Sequence, residues 1–180
     1  LTALPSDGTA VFPADEPFTD LWQTLAGSRN CLRFALQAPA EVWATQVEWL
    51  NSHWSVQAMT PQGPCQFTLS IAGRHNVKNA LAALCCALAV GVSPADAAKG
   101  LSAFEPVKGR SRSFSLPVGD RLLSVVDDTY NANPDSMNAA VDVLAELPSP
   151  RLLVIGDMGE VGDQGPQFHT ELGVYAKAKG

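Results

Sequence analysis

Between Ser124 and Met137 the chain reads SVVDDTYNANPDSM, a run of side chains suited to gripping a polar ligand. Asp127 and Asp128 are carboxylates that accept hydrogen bonds, Asn131 and Asn133 are amides that both donate and accept, and Tyr130 adds a phenol. An apolar run, Leu122 to Val126, leads into them, and Pro134 opens an amphipathic stretch behind them. Strand, polar loop, helix is how an open α/β sheet presents ligand-binding groups at the carboxyl ends of its strands. The same residues also have a structural reading. Asn133 before Pro134 fits a helix N-cap followed by a first-turn proline, and acidic groups near a helix N-terminus are favoured by its dipole. A second string, Gly73-Arg74-His75-Asn76-Val77-Lys78-Asn79-Ala80, sets two further amides on the first turn after His75.

The elements that must hold these groups follow from periodicity. Ala10–Phe12 and Cys31–Leu36 read as short strands, with a helix between them on the spacing of Phe18, Leu21, Trp22 and Leu25. Residues 44–71 read as antiparallel β. Trp54, Val56 and Ala58, then Cys65, Phe67, Leu69 and Ile71, alternate with polar residues around the turn Pro61-Gln62-Gly63-Pro64. The period then lengthens. Val77, Leu81, Leu84, Cys85 and Leu88 share one helical face that stops at Gly91, and Ser93-Pro94 restarts a helix with Asp96 placed for a capping box. Pro106 and Gly109 suggest a linker, with a domain boundary near Val107.

Beyond it, Ser113–Leu116 and Arg121–Val126 read as strands around Gly119-Asp120, and Met137, Ala140, Val141, Leu144 and Ala145 as a buried helix face. The wholly apolar run Leu152–Ile155 predicts an interior parallel strand emptying into Gly156-Asp157-Met158-Gly159-Glu160. A helix carrying Phe168, Leu172 and Tyr175 follows. Strand-helix-strand-helix order predicts an α/β fold with a parallel sheet, and the Asp127 and Asp157 loops on one edge of it.

Composition bounds the function classes. The chain has 180 residues, 46% hydrophobic and 17% charged, as expected of a soluble globular protein of one or two domains. A net charge of −6 argues against broad nucleic-acid binding, though not against a nucleotide site. No run approaches the roughly 20 apolar residues of a membrane span. Cys31, Cys65, Cys85 and Cys86 show no C-x-x-C pairing, and His53, His75 and His169 are scattered, so a reduced, cytoplasmic chain without its own metal site is expected. Leu1–Pro5 has no start methionine and reads as the middle of a longer sequence.

The GRHNVKNA string, the DDTYNANP string and the loop from Gly156 to Gly162 together resemble the Mur ligases, ATP-dependent amide-forming enzymes of peptidoglycan synthesis. The DDTYNANP pattern is most similar to the branch that adds a dipeptide. The resemblance implies residues 1–106 as the latter part of a central ATPase domain and 107–180 as the start of a Rossmann-like C-terminal domain. It also implies a UDP-sugar-binding domain and a P-loop elsewhere. No G-x-x-x-x-G-K-[ST] string occurs here, so the 180 residues alone are expected to be inactive.

Residue roles implied by the resemblance follow the motifs. Asn76 and Asn79 match positions near adenine; Asn76 is equally readable as an N-cap, whereas asparagine gains little inside a helix at Asn79. Arg110 matches an arginine facing ATP phosphates at a domain joint, with Arg112 the competing candidate in the local RSR pattern. Asp128 matches a carboxylate that receives the ribose hydroxyls, while Asp127 is readable as a loop cap. Tyr130, Asn131 and Asn133 match the side that meets the incoming dipeptide. Asp157 and Glu160 are weaker candidates, His75 is read as structural, and His169 has no derived role. The implied substrates are ATP, a UDP-N-acetylmuramoyl-tripeptide and D-alanyl-D-alanine, joined through an acyl phosphate by a monomeric enzyme. Magnesium is implied with ligands before Leu1, as is domain closure that excludes water. Two rival readings are a related ligase adding another amino acid and a non-catalytic nucleotide- or partner-binding remnant.

Overall fold

The computed structural model describes every residue except Thr2 and Ala38. The chain divides into two compact units, residues 1–70 with 74–105, and residues 71–73 with 106–180.

In the first unit a five-stranded sheet has the order β1 (Thr9–Pro13), β2 (Asn30–Ala35), β3 (Val42–Leu50), β4 (His53–Thr60), β5 (Gly63–Leu69). β1, β2 and β3 run parallel, and β3, β4 and β5 antiparallel. Period-2 alternation sends Trp54, Val56 and Ala58 of β4 and Phe67 and Leu69 of β5 inward. Pro61 and Gln62 turn the hairpin, and Gly63 takes the positive φ of 115° that follows them. α2 (Arg74–Ala89) crosses β1, β2 and β3, and α3 (Pro94–Ser102) lies on β5. The expected face of α2, Val77, Leu81, Leu84, Cys85 and Leu88, is buried. Burial in that apolar face pushes the Cys85 thiol up to about 12, as befits a core residue. Ser93 caps α3 by accepting from the Asp96 amide at 3.1 Å and donating to its carboxylate at 2.7 Å.

α1 (Thr19–Ala26) departs from its expected stripe. Phe18, Leu21 and Leu25 are exposed, and only Ala26, with Trp22 beside it, packs on Ala10 and Phe12. A two-turn helix over an edge strand has one narrow contact line, so spacing overstates what it buries.

In the second unit β6 (Arg112–Val118) and β7 (Arg121–Asp127) form an antiparallel hairpin around Gly119-Asp120. α4 (Pro134–Ala145) and α5 (Gly165–Lys179) pack on each other through Val141, Met158 and Leu172. Tyr175 donates to Asp142 at 2.8 Å, and Lys179 pairs with the same carboxylate at 2.7 Å.

Two expectations are corrected here. Leu152–Ile155 is not a strand among the described residues, and no parallel pairing joins it to β7. Leu153 packs on the helices while Leu152 and Val154 are 81% and 82% exposed, so the run takes no place in a ladder. A short apolar run fixes burial tendency, but a strand also needs a neighbour for its backbone. Ile71 likewise leaves the β5 alternation. It bridges to Arg112, and the Ala72 amide donates to Ser111 at 2.9 Å.

Candidate nucleotide and substrate site

The polar string that follows β7 is folded back by its own side chains. Asp127 accepts from the Thr129 hydroxyl at 2.7 Å and the Thr129 amide at 3.2 Å, a tight Asx turn. These bonds, the hydroxyl foremost and the Gly109 amide and Lys108 after it, hold the Asp127 carboxyl below the usual carboxylate range. Asp127 therefore shapes the loop and turns Asp128 outward.

Asp128 is exposed and held from the preceding linker. The Ser111 amide donates to its Oδ1 at 2.9 Å, with the Ser111 hydroxyl at 3.4 Å. Ser111 makes that contact from a positive φ of 47°, a conformation uncommon for a residue with a side chain. A turn closed from the Arg110 amide to the Val107 carbonyl precedes it. Gly109 sits in that turn at φ 77°, and the Tyr130 amide donates to its carbonyl at 3.0 Å. A Cβ at Gly109 would lie 2.8 Å from the Tyr130 nitrogen, so only glycine allows the two segments to approach this closely.

That approach brings Arg110 onto Tyr130, its guanidinium carbon 3.9 Å from the ring centroid. An arginine, a carboxylate and a tyrosine thus share one corner of the second unit. Arg112, the competing candidate, is instead the first residue of β6, paired with Asp127 in the hairpin register.

The two loop amides spend their oxygens locally. Asn131 Oδ1 accepts from the Ala132 amide at 2.9 Å. Asn133 caps α4: its Oδ1 accepts from the Ser136 amide at 2.9 Å, and the Ser136 hydroxyl accepts from the Asn133 amide at 3.1 Å. The structural reading of Asn133 holds, and its NH2 group is what remains for a ligand.

His169 reaches from α5 to two carbonyls, Nδ1 to Gly165 at 2.9 Å and Nε2 to Gly156 at 3.2 Å. Those acceptors, Gly165 first, raise its pKa, with Asp157 adding to the effect. It ties the Gly156 loop, which carries Asp157 and Glu160, to the start of α5.

Asn76 and Asn79 belong to the first unit. α2 starts at Arg74, which sets Asn76 inside the first turn and not at the N-cap. Asn79 donates to Asn76 at 3.4 Å, so the two amides act as a pair. Between them Lys78 pairs with Asp15 at 2.7 Å and with Glu16, fixing this turn to the loop after β1. His75 is exposed on the same turn. A groove of 380 Å³ between β5 and α3 contains none of these residues. Among the described residues, no three His, Cys, Asp or Glu gather as a metal site, and no helix is long and apolar enough to cross a membrane.

Sequence reasoning missed Gly109, Ser111 and Lys78 as supports. Gly109, next to the candidate arginine, was a legible signal. The positive φ of Ser111 and the acidic partners of Lys78 come from tertiary approach and leave no mark in local sequence.

Residues 1–87 match the Mur ligase middle domain, and residues 116–180 the Mur ligase glutamate ligase domain. The UDP-N-acetylmuramoyl-tripeptide–D-alanyl-D-alanine ligase of Escherichia coli K12 is 38% identical over 180 residues, covering 99% of this chain and 39% of that protein. Its Haemophilus influenzae counterpart is 37% identical over 172 residues, covering 96% and 36%. A crystal structure of MurF from Acinetobacter baumannii superposes with a TM-score of 0.74 at 39% identity, over 97% of this chain and 37% of that one. The chain therefore spans less than two fifths of the length of these relatives. With both of its halves matched to domains of one family, and with relatives near 38% identity along nearly its whole length, the chain belongs to the Mur ligase family.

Proposed function

We propose that these residues serve, in a ligase as long as those relatives, as part of an ATP-dependent enzyme joining D-alanyl-D-alanine to a UDP-N-acetylmuramoyl-tripeptide. The observation that carries this reading is the corner where Ser111 holds Asp128 and Tyr130 carries Arg110. An outward carboxylate suits a ribose diol, and a guanidinium suits phosphate oxygens that it can fork onto. In the first unit, the Asn76–Asn79 pair suits a purine edge, which needs both a donor and an acceptor.

The order of bond changes follows from the substrates. The terminal carboxylate of the tripeptide attacks the γ-phosphorus, ADP leaves, and an acyl phosphate forms. The dipeptide amine then adds to the carbonyl, and the tetrahedral intermediate expels phosphate as the amine gives up its proton. Arg110 would offset charge on the transferring phosphates. Asn131 and Asn133, with their oxygens committed to backbone amides, would offer NH2 groups to the dipeptide carboxylate. Neutral donors orient that group without a positive charge repelling the nearby amine. Magnesium, usual for phosphoryl transfer, has no cluster of ligands among the described residues, and the roles assigned here do not use it. A cytoplasmic location fits these nucleotide substrates.

The test is Asp128→Ala in the full-length ligase, which raises the apparent KM for ATP and leaves that for D-alanyl-D-alanine nearly unchanged. Unaltered ATP kinetics would remove Asp128 from the nucleotide site.

A further inference from the structure

The sequence pattern grouped Tyr130 with the dipeptide-facing amides, yet its ring is occupied by a cation. Arg110 lies 3.9 Å from the ring centroid, well inside the range in which an aromatic face attracts a guanidinium. The contact is built in and not incidental to a long side chain. The Tyr130 amide is fixed to the Gly109 carbonyl at 3.0 Å, Gly109 approaches closely enough to exclude any Cβ, and the next residue, Ser111, is fixed to Asp128. Three successive residues of the linker are thus pinned to two of the loop, Asp128 and Tyr130, with Arg110 in the middle.

We propose that Tyr130 is a positioning residue for Arg110, acting on the nucleotide and not on the dipeptide. This rests on the reading of Arg110 as a phosphate ligand. An exposed arginine samples many rotamers, and a site that binds phosphate must select one of them. The Tyr130 face makes that selection before ATP arrives. Tyr130 is 63% exposed, so the surface around the pair stays open to a ligand.

Steady-state kinetics on the full-length ligase separate the alternatives. Tyr130→Leu keeps bulk but removes the π face, and it raises the apparent KM for ATP about two- to five-fold, the worth of an exposed cation–π contact. The KM for D-alanyl-D-alanine moves less, and Tyr130→Phe, which keeps the face and loses the hydroxyl, restores the ATP value. In an Arg110→Ala background, Tyr130→Leu adds nothing further to the ATP effect. A rise confined to the dipeptide KM, or a Phe variant as impaired as the Leu variant, would overturn the proposal. So would an ATP effect of full size in the Arg110→Ala background. Loss of ATP affinity in Arg110→Ala without any effect of Tyr130→Leu overturns this inference alone. No ATP effect of Arg110→Ala overturns the phosphate reading and the inference with it.

Discussion

Gly109→Ala probes the joint between linker and loop most sharply. The substitution forces a residue with a side chain to hold φ 77°, which costs about 1–2 kcal/mol for an L-residue in the left-handed region. Its Cβ would also stand 2.8 Å from the Tyr130 nitrogen, so the loop must retreat and weaken the 3.0 Å bond to the Gly109 carbonyl, a further loss of about 0.5–1.5 kcal/mol. The expected destabilisation of the second unit is about 1.5–3.5 kcal/mol. Gly119→Ala is the internal control, because Gly119 has a similar φ of 58° but nothing within 4 Å of the added Cβ. It bears only the backbone cost. All four tryptophans, Trp22, Trp43, Trp49 and Trp54, lie in the first unit, so their fluorescence in urea reports that unit alone. Hydrogen exchange by mass spectrometry on residues 106–130 reports the second. The prediction is faster exchange there in Gly109→Ala than in Gly119→Ala, with the tryptophan transition unmoved. Equal exchange in the two variants would refute the argument from close approach.

Leu84→Ala, at a fully buried position of α2, lowers the stability of the first unit by about 2–5 kcal/mol, read from the tryptophan unfolding midpoint. Asn133→Ala removes the capping box of α4 and costs about 1 kcal/mol, visible as faster exchange in the first turn of that helix. His169 has a folded pKa raised by its two carbonyl acceptors. Its contribution is therefore complete below the unfolded value near 6.5 and fades as pH rises through the higher folded value. NMR should show the ring titrating above 6.5 with residues 156–162 loosening over the same range, and titration at or below 6.5 would contradict the tie to Gly156 and Gly165.

Much of the architecture was legible because local signals agreed with one another. The α2 face, the Ser93 cap, the β4–β5 hairpin and the Asn133 cap each combine periodicity with a stop or start residue. Where one signal stood alone, it misled. Leu152–Ile155 had apolar composition but no hydrogen-bonding neighbour, and α1 had helical spacing but only a strip of strand to cover. The candidate site divides the same way. Asp128 and Arg110 stood out by type and motif, whereas the Ser111 clamp and the Tyr130 platform arise from segments about 20 residues apart that only the fold brings together. Asp127, sharing its type with Asp128, differs in role because Thr129 follows two residues on.

The most direct test of the central claim is product analysis of the full-length ligase given ATP, UDP-N-acetylmuramoyl-tripeptide and D-alanyl-D-alanine. A new amide is expected, detected by mass as the two substrates less water, with ADP and phosphate formed in step with it over many turnovers and no sustained phosphate release without the dipeptide. Phosphate release that ignores the dipeptide, or an amide formed only with a different amino acid, would contradict it.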